Sequence, residues 1–314
     1  MPKEVLIAIA AGLLSAMLAL SVTTGSTISV LFVYLAPLPL MIMGLGFGSL
    51  MATIGTASGV IAVFVGSGWF PALIFALING LPAVLVAQLA LRSRTDEDGS
   101  VVWFPPGPIL ASLAATAAVL FLAVAILSGG SEGGIAEVVR SRLSAGLTVM
   151  APNLSATELK EVVDILTAAF PAATAISWLA MTVITAVLAQ WVLVRSSRAL
   201  RPSPRMADLD LPDWSSWALV GAGILALIGE GQLEYIGHNL VVILAVPFFF
   251  LGLGIVHALV GRAPFPGMML VTFYMLLLML SAWAALLVTG LGFIEQWACL
   301  RQRFAVADNG QEDE

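Results

Sequence analysis

The segment Pro37–Gly48 most constrains what this chain can fold into. It places Pro37, Pro39, Gly44, Gly46 and Gly48 within an otherwise apolar run. Such a run is a poor core element in water, because proline frees backbone groups that then need other partners. In a bilayer, neighbouring helices supply those partners, and glycine lets helix backbones approach closely. The segment therefore predicts the end of one membrane helix, a tight glycine turn and the start of the next, at the centre of a helix bundle.

Composition extends the membrane interpretation to the whole chain. Of its 314 residues, 60% are hydrophobic and only 10% are charged, with a mean hydropathy of +1.03, whereas about 25% charge is typical of soluble domains. The net charge of -6 comes from acids in loops and in the tail, so we expect no nucleic-acid partner. The single cysteine, Cys299, excludes an internal disulfide framework and a cysteine-based metal site, and we expect no cofactor.

Apolar segments of about the 20 residues needed to cross a hydrocarbon core recur along the chain. They fall at 5–22, 28–44, 46–66, 69–91, 109–127, 168–194, 217–230, 240–260 and 267–291. The seventh is short, so the sequence predicts an all-α polytopic membrane helix bundle with 8–9 transmembrane helices. The first segment resembles a signal peptide, but its length favours a retained helix.

The basic residues near the helix ends favour a cytoplasmic N-terminus. With nine crossings, the residues placed inside are Lys3, Arg92, Arg94, Arg195, Arg198, Arg201, Arg205 and Arg262. Those placed outside are Arg140, Arg142, Lys160, Arg301 and Arg303. With eight crossings, the last two move inside and Arg262 moves outside, so the side of the C-terminus stays open.

Changes in composition divide the chain into four segments. We predict a six-helix membrane core over 1–195, a cytoplasmic linker over 196–216, C-terminal membrane helices over 217–294 and a polar, disordered tail over 295–314. The core carries an outer amphipathic insertion at 131–166, where a capping box of Ser155 and Glu158 opens the second of two helices. This hairpin either lies flat among the lipid headgroups or covers the bundle as a lid.

One face of the first helix carries only small side chains, at Ala8, Gly12 and Ala16. Residues four apart lie on the same face of a helix, so this face suits close docking of another helix. The sequence allows two partners for it. One is a helix of the same chain, which makes the face an internal packing seam, and the other is a separate membrane protein.

Polar chemistry is scarce at membrane depth. Proton-coupled transporters usually carry an ionisable side chain there, but every Asp, Glu, Lys and Arg of this chain falls in a loop or at a helix end. The polar residues left in the spans are Ser15, Thr56, Asn79, Gln88, Ser177 and Gln190. They fit either hydrogen bonds between helices or contact with a ligand. Because recognised catalytic motifs are also missing, we expect no enzyme.

One cluster of titratable residues lies between the seventh and eighth segments. Glu230, Glu234 and His238 follow a spacing of four, which lines one stripe of a helix and suits a weak cation site. A solvated turn between two helices has the same appearance. The remaining histidine, His257, fits a hydrogen-bonded packing residue of an apolar helix.

The N-terminal two-thirds resembles the six-helix substrate-binding S components of energy-coupling-factor transporters. The features that carry this resemblance are the small-residue face of the first helix, Pro37-x-Pro39, Gly44-x-Gly46-x-Gly48, Ala52 and Gly59. With its outer insertion and its C-terminal helices ending in Leu291-Gly292-Phe293-Ile294-Glu295, nearly the whole chain looks like the YybS-like family of bacterial integral membrane proteins, thought to share that core.

The resemblance implies a multi-pass protein of the bacterial inner membrane whose bundle opens to the outer face and binds a small molecule. In S components, a small-residue motif on the first helix docks the coupling subunit, and Ala8, Gly12 and Ala16 match it as small-x3-small. None of the substrate residues of S components can be carried over to this chain.

Two hypotheses about function follow. The first is an S-component-like core that binds or helps to translocate a small solute, in a cavity near Pro37, Pro39 and Asn79. The second is a membrane scaffold without ligand that recruits envelope or cell-division partners, resembling the MreD family of cell-shape proteins. In both, membrane lipid surrounds most of the chain.

Overall fold

The structure is a computed structural model that describes residues 2–130, 133–261 and 263–298. Within these residues, 8 helical stretches are long and apolar enough to cross a membrane, and the only strands form one short hairpin. This confirms the predicted all-α membrane helix bundle. The predicted seventh span is the shorter apolar helix Asp213–Ile228.

The helices and strands follow one another in a simple order. They are α1 (Lys3–Leu20), α2 (Thr27–Leu35), α3 (Leu38–Phe47), α4 (Ser49–Ser67), α5 (Trp69–Phe75), a π-helix (Ala76–Gly80), α6 (Leu81–Ala90), β1 (Ser93–Thr95), β2 (Val101–Trp103), α7 (Pro106–Leu127), α8 (Gly134–Met150), α9 (Ala156–Arg195), α10 (Asp213–Ile228), α11 (Gln232–Val260) and α12 (Pro266–Ala298). Short 3₁₀ turns lie at Ser21–Thr24 and Met206–Asp208.

The proline and glycine segment Pro37–Gly48 contains a helix break at its start and a turn at its end. The helix breaks between α2 and α3, where Ser15 of α1 donates a hydrogen bond of 2.6 Å to the carbonyl of Ala36. The turn lies at Gly48 alone, whose φ of +101° favours glycine. The predicted helix end at residue 44 is therefore wrong, and α3 continues to Phe47.

The helix continues past residue 44 because the glycines there serve packing. A Cβ on Gly44 would lie 2.6 Å from the Cβ of Ala87, and one on Gly46 would lie 2.5 Å from Cδ2 of Leu193. Both distances are shorter than carbon atoms tolerate, so these two glycines allow α6 and the end of α9 to approach α3.

The second amphipathic helix and the sixth span are one element. The capping box is confirmed, since Glu158 accepts the backbone N–H of Ser155 at 2.9 Å and the Ser155 hydroxyl accepts the N–H of Glu158 at 3.3 Å. From there α9 runs for 40 residues, about 60 Å at the usual rise, which is longer than a hydrocarbon core of about 30 Å. The two predicted helices are therefore not separate.

The loop after the fourth span contains the β-hairpin, which the sequence analysis did not predict. Ser93 pairs with Trp103 and Thr95 with Val101 in antiparallel register. At the tip, Gly99 has a φ of +83° and the carboxylate of Asp98 accepts the N–H of Ser100 at 2.9 Å. Hydrogen bonds from the backbone N–H and the hydroxyl of Ser100 lower the pKa of Asp98. The Asp98-Gly99 pair is a common turn signal.

The C-terminal helix reaches into the segment predicted as a disordered tail. α12 ends at Ala298, and Glu295 is only 5% exposed, so residues 295–298 belong to the helix. The rest of the predicted tail, 299–314, lies outside the described residues.

By contacts, the chain forms two compact units. Unit 1 comprises Met1–Ile109 and Ser177–Pro204, and unit 2 comprises Leu110–Ile176 and Arg205–Glu314. In unit 1, α4 packs on α1, α3, α5 and α6. In unit 2, α11 packs on α10 and α12 around a core of Ala111, Leu209, Leu211, Phe248 and Leu251. The division into four segments that composition predicts remains a prediction, because units defined by contacts do not test a division based on composition.

Candidate functional site

The fourth span contains a π-helix, Ala76–Gly80, between α5 and α6. Pro82 follows it and lacks an N–H, so the carbonyl of Ile78 four residues earlier loses its helical donor. The indole N–H of Trp178 on α9 donates to this carbonyl at 3.0 Å. Short π-helical turns of this kind are frequent at functional sites. The side chains around Ala76–Gly80 are therefore candidates for such a site.

Two polar oxygen atoms beside the π-helix have no hydrogen-bond partner among the described residues. One is Oδ1 of Asn79, a side chain that is 5% exposed, and the other is Oγ1 of Thr56 on α4. Thr56 packs against the residue that follows Asn79, because a Cβ on Gly80 would lie 2.3 Å from Cγ2 of Thr56. The absence of a side chain at Gly80 therefore brings Thr56 next to the π-helix.

A third such atom lies on the neighbouring helix. Oγ1 of Thr182 is buried and without a partner in the described chain, and Thr182 follows Trp178 by one turn of α9. The set Asn79, Thr56 and Thr182 is called the polar site below. An amide oxygen accepts hydrogen bonds, whereas a hydroxyl can donate or accept.

The other polar residues of the spans are mostly used within the fold. Ser15 bonds to Ala36, Gln190 donates to the carbonyl of Arg201 at 2.9 Å, and Ser177 bonds to the hydroxyl of Tyr34. These three fit the predicted hydrogen bonding between elements. Thr56 and Asn79 differ from them, and the difference is visible only in the structure.

The predicted cavity residues lie in two places of unit 1. Pro37 is buried and Pro39 half-buried at the break between α2 and α3, and Asn79 lies in the π-helix. Two open cavities lie elsewhere, in unit 2: one of about 280 Å³ lined by α7, α10 and α11, and one of about 240 Å³ between α8 and α9. None of the three residues lines either of these two cavities.

The small-residue face of α1 is covered by α4 of the same chain. Ala8, Gly12 and Ala16 are buried, and a Cβ on Gly12 would lie 1.9 Å from the carbonyl oxygen of Gly55. This is the arrangement that the packing-seam interpretation predicts. A separate protein can reach these residues only if α1 and α4 move apart.

The predicted metal cluster does not assemble. Glu230 precedes α11 while Glu234 and His238 lie on it, and all three side chains are exposed. No group of three His, Cys, Asp or Glu residues that could hold a metal ion occurs within 2–130, 133–261 and 263–298. The structure therefore supports the solvated-turn alternative. His257 makes a packing hydrogen bond of 2.9 Å to the carbonyl of Leu253.

The inward side of the same turn does contain a polar cluster, which the sequence analysis missed. Asn239 accepts the N–H of Ala172 at 3.0 Å and donates to the carbonyl of Ala168 at 3.4 Å, and Tyr235 donates to the carbonyl of Thr167 at 2.7 Å. These are the backbone groups around Pro171, the proline inside α9. A proline in an apolar helix signals that such partners are needed, but not which residues they are.

The chain matches the family described as "Predicted membrane protein (DUF2232)" over residues 13–295. No curated protein and no solved structure matches it.

Proposed function

The chain belongs to the DUF2232 family of predicted membrane proteins, and on this premise we propose that it binds a small, uncharged, hydrogen-bonding solute at the polar site of unit 1. The observation that carries the proposal is the amide oxygen of Asn79, a residue of the π-helix, which is buried without a partner in the described chain. The protein itself is a multi-pass membrane protein, with 8 candidate spans in its described residues.

The energetic cost of this arrangement favours a ligand. A buried polar atom without a hydrogen bond costs about 1–3 kcal/mol, and buried polar groups are nearly always paired in native proteins. Asn79, Thr56 and Thr182 leave three such atoms in one unit. A solute that bonds to them recovers this cost, so part of its binding energy comes from groups that the empty protein leaves unpaired.

The absence of charge around the site restricts the solute. Residues 5–91 and 165–194 contain no Asp, Glu, Lys, Arg or His. An ion brought into this region loses its hydration and meets no opposite charge, which costs several kcal/mol. An uncharged molecule with hydroxyl or amide groups avoids this cost and still matches the polar site.

The S-component resemblance supports the same proposal. A six-helix core of that type binds a small molecule within the membrane, and the YybS-like resemblance extends this expectation to the chain as a whole. We propose that the described structure is the closed form. Solute enters when the fourth span moves away from α4 at the contact between Gly80 and Thr56, and repeating this movement toward each side of the membrane would help to translocate it.

The substitution Asn79→Leu tests the proposal. Because leucine has a similar volume and no polar atom to leave unpaired, we expect the free energy of unfolding without solute to rise by about 1–2 kcal/mol. We also expect the variant to lose the thermal stabilisation that a solute gives the wild type. The measurement is the melting temperature of the detergent-solubilised protein across a panel of polyols, nucleosides and uncharged amides.

Thr289→Val provides the matched control. The hydroxyl of Thr289 is already bonded to the carbonyl of Ala285 at 2.7 Å, so its removal should not stabilise the protein or change the response to any solute. If Asn79→Leu destabilises the protein and no member of the panel stabilises the wild type, Asn79 is a structural residue and the proposal is wrong.

A second candidate function, the membrane scaffold, rests on a different observation. No residue of the segment 266–280 in α12 is buried, although a membrane helix usually packs one face against its neighbours. A helix of another membrane protein would cover it. We expect a photo-crosslinker at Leu278, which is 76% exposed, to capture one defined protein. The same probe at Leu227, which is 85% exposed, should capture only lipid, and equal yields from both positions would rule out a specific partner.

A further inference from the structure

Three candidate spans end beside one another in unit 1. Trp69–Ala90 and Ala156–Arg195 are followed by polar segments with arginines, and Thr27–Phe47 ends at the turn of Gly48. Gly46 contacts Leu193, Gly44 contacts Ala87, and Arg201 donates to the carbonyl of Ala90 at 2.9 Å. Because apolar spans end where the hydrocarbon ends, the residues that follow them lie at the depth of the lipid headgroups.

Arginines concentrate at this boundary. Arg92 follows α6, Arg195 ends α9, and Arg198 and Arg201 follow within the next turn and linker. Together they are called the arginine end below. Arg94 also lies nearby but pairs with Asp96 at 3.2 Å.

The arginine end carries charge that the protein does not neutralise. None of the salt bridges within the described part of the chain involves Arg92, Arg195 or Arg198, and all three side chains are exposed. Of the acids in the nearby hairpin, Asp96 pairs with Arg94, and Asp98 lies at the hairpin tip, where its carboxylate accepts the N–H of Ser100. Glu97 is exposed at the hairpin tip.

One member of the arginine end, Arg201, is buried and bonds to the protein backbone, so its guanidinium has a structural role. Its guanidinium donates to the carbonyls of Ala90 and Phe104 at 2.9 and 3.3 Å and lies 6.0 Å from the ring of Trp103. Burial lowers the pKa of Arg201, but arginine titrates so high that it stays charged. It therefore joins the hairpin and the end of α6 to the chain that follows α9.

Arg198 is also held in a defined position. Ser197 adopts a φ of +55°, and the N–H of Arg198 then bonds back to the carbonyl of Leu193 at 2.8 Å, which is a helix-ending turn of the Schellman type. This turn directs Arg198 over Phe47, with 5.8 Å between its guanidinium carbon and the ring centroid. A pre-positioned arginine loses less freedom on binding an anion than a mobile one.

From these observations we propose that the arginine end binds the phosphate group of an anionic phospholipid, with Arg92, Arg195 and Arg198 as the contacting residues. Arginine forms paired hydrogen bonds with phosphate oxygens, and basic residues at the membrane surface attract anionic lipid. This site is independent of the polar site, so either proposal can fail alone.

The test compares lipids and variants in mixed micelles. We expect phosphatidylglycerol to raise the melting temperature of the wild type, and phosphatidylcholine and inorganic phosphate not to. In Arg195→Gln/Arg198→Gln, we expect the apparent affinity for phosphatidylglycerol to fall about fivefold for each arginine removed, roughly 25-fold for the pair. The melting temperature of this variant in phosphatidylcholine should equal that of the wild type, which shows that it is folded.

Arg142→Gln is the control, because Arg142 is an exposed arginine of α8, outside the arginine end. It should respond to phosphatidylglycerol like the wild type. An equal loss in this control would show that overall charge, and not the arginine end, attracts the lipid. An equal response of the wild type to inorganic phosphate would indicate a free-anion site instead. A wild type that does not respond to phosphatidylglycerol would also overturn the proposal.

Discussion

Replacing Gly12 with leucine is expected to separate α1 from α4 and to lower the free energy of unfolding by about 3 kcal/mol or more. The reason is geometric, since a Cβ at this position would lie 1.9 Å from the carbonyl oxygen of Gly55 and 2.1 Å from Oγ of Ser58. One of these atoms is backbone and cannot rotate away. The helices have to move apart, which exposes the seam formed by Ala8, Gly12 and Ala16.

The measurement is the unfolding of the purified protein in a titration from mild detergent into dodecyl sulfate. Gly12→Ala should show a smaller loss in the same direction, because it adds only the Cβ. Gly66→Ala is the control, as Gly66 also lies in a membrane helix but nothing lies within 4 Å of its added Cβ. Equal stability of Gly12→Leu and the wild type would mean that α1 does not pack on α4 as described.

Replacing Asn239 with leucine is expected to lower the free energy of unfolding by about 2–4 kcal/mol. The substitution removes the two hydrogen bonds that the Asn239 side chain makes to the backbone of α9 around Pro171. The N–H of Ala172 and the carbonyl of Ala168 then lose the side chain that joins them. Tyr235→Phe should lower the free energy of unfolding by less, about 1–2 kcal/mol, because only the carbonyl of Thr167 loses its donor.

A double-mutant cycle with Pro171→Ala isolates the cause. Alanine restores an N–H at position 171 that can bond the carbonyl of Thr167, and it removes the proline ring, so the N–H of Ala172 can return to the carbonyl of Ala168. In this background, Asn239→Leu and Tyr235→Phe should each lower the free energy of unfolding by less than about 1 kcal/mol. The coupling energy between Asn239→Leu and Pro171→Ala should be roughly 2 kcal/mol. If the costs are the same with and without Pro171, these side chains stabilise the protein through packing and not through the break.

At three prolines of the chain, a side chain from another helix donates a hydrogen bond to a nearby backbone carbonyl. Ser15 bonds to Ala36 beside Pro37, Trp178 bonds to the carbonyl freed by Pro82, and Tyr235 bonds to the one freed by Pro171. Each donor comes from a different helix. Membrane proline breaks are tolerated where such neighbours exist, and here each break also ties two distant parts of the sequence together.

The candidate site was partly accessible from sequence. Asn79 was recognisable as a polar residue at membrane depth, whereas Pro37 and Pro39 were predicted near the end of a membrane helix and lie instead at the break between α2 and α3. The π-helix at Ala76–Gly80 and the partners Thr56 and Thr182 were not, because a π-helix depends on how Pro82 and Trp178 meet. The predicted metal cluster does not assemble because Glu230 precedes α11, and the spacing does not reveal that Glu234 and His238 are exposed.

The residue pattern alone was sufficient to predict that this chain lies in a membrane and roughly where most of its spans begin and end. These properties follow from hydropathy, which acts locally. Three findings needed the packed structure: α4 covers the small-residue face of α1, Gly44 and Gly46 pack within a helix, and certain polar side chains of the described residues stay unpaired. A hydrogen bond or a close contact needs two partners, and local sequence specifies only one of them.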